Sequence, residues 1–419
     1  MINFKCNSNF EVYAARQLNF MLGIKVENDI YASFNDKNES RGIQFTTGKG
    51  NGVFINTEFL DLCSQFLSLQ REKNLPLDNL GRVIFSEEQA QAISTPLLDI
   101  ELNKISQEIK SFFDENEIIY EKINFLDGPT LCLSHDVDSL KSNSIIRIFY
   151  NVLKSIVKLD FIRLINLVTK RSNYINTHGD LKKFIEIEEH YSFKSSYFFL
   201  SLPFFLGREG RRYSINSKNV KTKLEFLAKK NFEIGLHMSR KGFANAQLGK
   251  REIKRLEHAA KKPHISGVRN HYLKGNFPHI WNVYEQLFDY DSSLGSSQYL
   301  VYRAGTSKPF NPYDYHLKKE LEIIEVPLIV MDGALEGTSD QIYHKVKNHI
   351  DIAYENNSLI SILWHTDRIL PDDFSDHAEA YQKILAYLHE LKFNSLTIEE
   401  LVKRYKNHQN QITNNLKFS

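Results

Sequence analysis

The sequence predicts an α/β protein: a deformed (β/α) barrel over residues 128–406, a smaller mixed α/β domain over 1–127, and a polar tail over 407–419. Two observations carry this. From residue 130, apolar β-rich runs alternate with stretches of helical periodicity, the pattern of a parallel sheet with helical crossovers. Several of those runs end in side chains able to do chemistry, and a (β/α) barrel keeps its site at the C-terminal ends of its strands.

The first 127 residues read as follows. Asn9 to Gly23 is helical, with Ala14, Ala15, Leu18, Met21 and Leu22 on one side. Gly42–Phe45 and Val53–Ile55 are short strands. Between them, Thr47-Gly48-Lys49-Gly50-Asn51-Gly52 reads as a hairpin turn rather than a phosphate loop, because no long helix follows it. Leu102, Ile105, Ile109, Phe112 and Phe113 fall at helical spacing, and Asp127-Gly128-Pro129 then punctuates the chain.

In the barrel, strands are expected at 130–134, 195–201, 232–236, 265–268, 323–330 and 359–364, and helices at 217–230, 249–261, 339–355 and 375–391. Six to eight such units in about 280 residues suit a closed barrel better than an open sheet. Residues 141–175 insert after the first strand as a basic amphipathic helical region. A helical pair covering its own domain is the first expectation there, and peripheral contact with a membrane surface or a partner the second. The amide-rich stretch from Asn407 reads as a frayed tail.

Composition narrows the partners. Lys+Arg is 53 and Asp+Glu 51, so no global field argues for nucleic acid. Cys6, Cys63 and Cys132 are odd in number and scattered, which speaks against a disulfide framework or a thiolate zinc cluster. The N-terminus lacks the apolar core of a signal peptide and no run approaches the ~18 apolar residues of a membrane span. The expectation is a cytoplasmic protein with no transmembrane segment.

The most informative feature is Asp136-Val137-Asp138 at the end of the first barrel strand. Two carboxylates at the rim of a core are costly unless a cation compensates them. Other strand ends carry His237, then Arg269 with His271, then Trp364-His365 with Asp367 nearby. Hydrolysis of an acetamide needs an activated water, a polarised carbonyl and an acid for the leaving amine. An Asp with one or two His holds a divalent metal that meets the first two needs.

Ser134–Asp138, Glu233–His237, Gly267–Tyr272 and Leu363-Trp364-His365 occur in the order of the NodB-homology polysaccharide deacetylases, carbohydrate esterase family 4. The chain resembles that family over about 128–405. Lys194–Leu200 resembles its second strand, and Phe288–Leu294 and Glu325–Leu328 resemble later strands of its allantoinase-like branch. The N-terminal region resembles the domain that precedes the barrel in some bacterial members.

The resemblance implies Asp136 as general base, Asp138 and His237 as metal ligands, Arg269 as the ion-pair partner that orients the base, His365 as general acid, and Asp291 lining the site. Arg303 and Trp364 are read as further substrate contacts, a structural ion pair being the equal alternative for Arg303. The family's second motif carries two His at i and i+4; here Lys241 stands at that spacing from His237. His271, where the family usually has Pro, is the candidate third ligand, a structural role being the other reading. The expected cofactor is a divalent metal, zinc first.

The expected substrate is an N-acetylated sugar or glycan precursor, cleaved at a carbon–nitrogen bond. The alternative is a catalytically degenerate barrel that binds a glycan or a partner. An Asp-x-Asp alone also suits haloacid-dehalogenase phosphatases and nucleotide-sugar glycosyltransferases.

Overall fold

A computed structural model describes residues 1–37, 40–140, 181–207, 209–369, 371–413 and 416–419. The inserted region expected at 141–175 lies outside them.

The N-terminal half begins with β1 (Ile2–Lys5), a helix (Asn9–Leu22), β2 (Ile24–Val26), β3 (Ile30–Lys37), β4 (Ser40–Thr47) and β5 (Gly52–Asn56). Ser8 caps the helix by accepting from the Glu11 amide, and Gly23 ends it at φ 62, a left-handed turn where a Cβ would meet the Ile123 carbonyl oxygen. Thr47 donates to the Asn51 carbonyl at 2.7 Å and Gly50 to that of Thr47, so the glycine-rich stretch is a hairpin turn. A helix at Leu97–Glu115 covers this layer, and β6 (Tyr120–Lys122) pairs antiparallel with β2.

Strand order in the first sheet is β18-β1-β3-β4-β5, where β18 is Leu416–Phe418 at the far end of the chain, parallel to β1. The frayed tail expected from residue 407 is therefore not what forms. Tyr405, His408 and Ile412 lie on one buried face of the helix Ile398–Thr413, and β18 then takes the free edge of β1. An amide-rich composition concealed both signals.

The second sheet is built from β7 (Thr130–Val137), β8 (Ser195–Leu200), β9 (Glu233–Met238), β10 (Gly267–Asn270), β11 (Tyr290–Asp291), β14 (Ile324–Glu325), β15 (Val330–Met331) and β16 (Leu359–Leu363). β12 (Tyr313–Asp314) and β13 (Lys319–Glu320) form a separate antiparallel pair, and β17 (Asn394–Ser395) joins the start of β7. The order β14-β11-β10-β9-β8-β7-β16-β15 is parallel throughout. β7 to β10 are buried at every residue, as parallel strands covered on both faces must be.

β14 and β15 lie on opposite edges of this sheet, yet only Val326–Ile329 separates them. Five residue steps reach at most about 18 Å, so the two edges are drawn together and the sheet curls into a deformed barrel. The joining segment is tied to both sides: Val326 donates to the Asp291 carbonyl, and the Ser361 hydroxyl accepts from Ile329 and donates to the Pro327 carbonyl. The single strand expected at 323–330 is thus two, broken where Pro327 offers no N–H to a ladder.

The two halves share one core. Tyr13, Leu98 and Phe113 belong to the same buried cluster as Val137, Leu236 and Phe310. Tyr13 donates to the Asn311 carbonyl, and Asp99 accepts from Thr306 and Ser307. Among the described residues, no helix is long and apolar enough to cross a membrane.

Candidate active site

Side chains alternate along a strand, so Asp136 and Asp138 leave the end of β7 on the same side. β9 brings His237 beside them, and β10, paired with β9 at Arg269↔His237, brings Arg269 and then His271. The His271 Nε2 lies 3.0 Å from Asp138 Oδ1, and the His237 Nε2 lies 3.4 Å from the same oxygen and 3.7 Å from Asp136 Oδ2. One ligand atom from each of Asp138, His237 and His271 lies within 4.8 Å of the others.

The far nitrogens of both rings are occupied. His237 Nδ1 meets the Arg269 carbonyl at 3.0 Å, and His271 Nδ1 meets Glu209 Oε1 at 2.8 Å. These acceptors place the proton on Nδ1 and leave the Nε2 lone pairs turned inward, the tautomer of a metal-bound imidazole. Both Nε2 atoms, Asp138 Oδ1 and Asp136 Oδ1 are buried without a hydrogen-bond partner. Each such atom costs about 1–3 kcal/mol, so four of them in one place ask for a cation. Two imidazoles and one carboxylate, with positions left open, fit a catalytic zinc or a similar divalent ion.

The electrostatics agree. Burial would raise the Asp138 carboxyl, but the facing His237 and His271 imidazoles hold it well below the usual range. Burial would lower His271, but Asp138 and Glu209 raise it. Arg212 sits over the cluster, its Nη1 3.1 Å from Asp138 Oδ1.

Arg269 is wholly buried and rigidly held. It donates to the Ser292 carbonyl, the Ser134 hydroxyl and the Ser292 hydroxyl, each at 2.8 Å, which sets Nη1 3.6 Å from Asp136 Oδ1. His365 follows β16, the strand paired with β7 on the side away from β8. Its Nδ1 meets Asp332 Oδ1 at 2.6 Å and its amide donates to Asp332 Oδ2 at 2.8 Å. Burial would lower His365, but the Asp332 carboxylate, with Asp136 and Asp138 further off, raises it to about 10.

The expected site residues separate into two groups. Asp136, Asp138, His237, Arg269, His271 and His365 are brought to one mouth. Asp291, Arg303 and Trp364 are not brought to that mouth, so they do not join the other six there. Trp364 is wholly buried, its ring 5.1 Å from Tyr381 on the helix Pro371–Glu390, because it alternates with His365 and faces outward. Asp291 lies inside the barrel, accepting from Ser293, and burial pushes both it and its neighbour Glu325 upward. Arg303 holds Glu72 at 3.0 and 2.5 Å and the Gly295 carbonyl at 2.9 Å, the structural ion pair of the two readings. Lys241 is exposed on the short helix Arg240–Ala244.

Three residues of the site escaped the sequence. Glu209 and Arg212 belong to a tight turn after β8, and Asp332 to another after β15. The only trace of the first is an acid within the basic run Gly207–Arg212.

No protein-family model matches the chain, and no curated protein matches it. Among solved structures the fold is similar to a Mycobacterium smegmatis protein assigned as a polysaccharide deacetylase, at 13% identity and TM-score 0.47 over 68% of this chain and 94% of that one. It is similar to the PuuE allantoinase at 10% identity and TM-score 0.44, over 66% and 89%. A Pseudomonas aeruginosa protein assigned as a polysaccharide deacetylase matches at 9% identity and TM-score 0.43, over 66% and 90%. Such identities transfer no residue's role.

Proposed function

We propose that the chain is a metal-dependent hydrolase of carbon–nitrogen amide bonds that removes an acetyl group from an N-acetylated sugar or glycan precursor. The observation that carries this is the convergence of the His237 and His271 Nε2 atoms on Asp138, without hydrogen-bond partners and buried, beside a second carboxylate and with a histidine–aspartate pair following the next strand. The sugar comes from the motif resemblance.

Asp138, His237 and His271 would hold a divalent ion, which would supply Lewis acidity for the carbonyl and for a bound water. Asp136, fixed beside the buried Arg269, accepts the water's proton on its carboxylate. Arg269 holds that carboxylate in place, its own position fixed by bonds from Nε, Nη1 and Nη2 to Ser292 and Ser134. His365, protonated at neutral pH, presents Nε2–H to the departing nitrogen while Asp332 holds Nδ1. Base and acid thus come from the paired strands β7 and β16 and face one mouth.

Acetate release from an N-acetylated chitooligosaccharide tests this, with the protein stripped by chelator and reloaded with zinc or cobalt. Activity that vanishes on stripping and returns on loading supports the proposal. Tight saccharide binding without acetate release under any metal sinks it in favour of the binding-protein reading.

A further inference from the structure

Residues 68–83 fold against the loop that follows β10, and between them lies a cavity of about 230 Å³. Its charges do not balance. Arg303 is matched by Glu72 and Arg82 by Asp78, at 2.5 and 2.7 Å. Lys73 and His279 have no carboxylate at ion-pair distance among the described residues, and His279 lies parallel to His316, ring centres 6.1 Å apart. Lys73, His279 and His316 are exposed to solvent at the rim of the same cavity, and an ammonium with two imidazoles there suits an anion. Leu75, Leu77 and Phe277 supply an apolar shelf, with Leu77 more than half exposed.

The cavity opens beside the site. Leu273 lines it, two residues after the ligand His271. Tyr272 and Leu273 both take left-handed backbone, φ 64 and 51. Arg82 of the N-terminal half donates to the Tyr272 carbonyl. The Tyr272 ring, 42% exposed, lies on His271 with centres 3.9 Å apart, and the Arg240 guanidinium lies 5.9 Å from it. A partly exposed aromatic side chain thus lies between the ligand His271 and the loop that lines the cavity.

We propose that this cavity binds a phosphate or diphosphate ester carried by the sugar substrate. That the sugar is then hydrolysed rests on the function proposed above; the binding does not. A neutral glycan gives Lys73 and His279 nothing to pair with, whereas a sugar diphosphate places its anion there and its acetamide at the mouth.

The test is calorimetry on the full chain, stripped of metal so that phosphates cannot chelate it, with pyrophosphate, uridine diphosphate and farnesyl diphosphate as probes. Pyrophosphate binding that weakens at least tenfold in both Lys73→Glu and His279→Ala, with unchanged circular dichroism, supports the site. Tighter uridine diphosphate then indicates a nucleotide carrier, and tighter farnesyl diphosphate a lipid carrier. No binding of any probe, or binding that neither substitution alters, overturns the proposal. Should the probes bind while no acetamide is cleaved with any metal, the hydrolase reading fails and the anion site stands.

Discussion

Two histidine–carboxylate clusters grow from adjacent residues of β7 and differ in how their polar atoms are satisfied. His135 points outward, between sheet and helices. Its Nε2 meets Glu188 at 2.6 Å and its Nδ1 the Trp364 carbonyl at 2.8 Å. Glu188 also accepts from the Ser195, Tyr197 and Tyr381 hydroxyls, and both members of the pair are wholly buried. Asp136 and Asp138 point inward, and there the atoms that face one another have no partners. The same residue types thus make a closed structural network on one face of a strand and an open ligand set on the other. What distinguishes them is completeness, not burial or charge.

That contrast breaks most decisively at Asp136. Asp136→Asn keeps the shape but removes the base, and kcat/KM for acetate release is expected to fall by about a hundred- to ten-thousandfold. Zinc should remain bound, since Asp138, His237 and His271 are untouched. Undiminished activity, or loss of the metal, would show that the carboxylate roles are assigned wrongly.

The closed cluster predicts the opposite profile. Glu188→Ala strands a buried imidazole and the hydroxyls of Ser195, Tyr197 and Tyr381, at a cost of about 3–5 kcal/mol. Urea unfolding should record that loss while zinc affinity at low denaturant stays unchanged. A variant of normal stability would mean the network contributes nothing, and the comparison would lose its structural arm.

A smaller effect is expected where the open site borrows from its surroundings. Glu209 holds His271 through Nδ1. Glu209→Ala should weaken zinc binding by about 10- to 100-fold, as for other outer partners of metal-bound histidines, read by titration against a chromophoric chelator. Unaltered affinity would return His271 to a structural role.

The part of this site visible in the sequence lies at strand ends. Asp136, Asp138, His237, Arg269, His271 and His365 each follow an apolar run, where topology alone says the side chains converge. Asp332 and Glu209 lie on short turns with no periodic signal, and they act on residues 33 and 62 positions away. Trp364 shows the converse failure: a neighbour of a site residue on a strand faces the other way, so adjacency in sequence misplaces it. The barrel was legible from alternation, but its closure through Val326–Ile329 was not, because one apolar run serves two edges. The edge strand β18 was hidden in the same way, by polar residues whose only use is to complete β1.

The last effect is a displaced pH limb. Asp332 raises His365 to about 10 from an ordinary imidazole value near 6.5. A raised histidine is protonated below its folded value, so its contribution to stability is complete below about 6.5 and is lost as pH rises through about 10. The acid function follows the same sign: activity holds at neutral pH and falls on the alkaline side. A bound cation offsets Asp136 and Asp138, so in the loaded protein the limb lies below about 10, while Asp332 still keeps it above 6.5. Asp332→Asn removes the main cause of the rise. At pH 7 the rate should drop by less than about tenfold, because much of the imidazole still carries its proton. The alkaline limb, by contrast, should move towards 6.5, whether followed by kcat against pH or by proton NMR of the ring. A limb that stays in place would mean that the acid is another group, and His365 would then pass to the closed class that His135 represents.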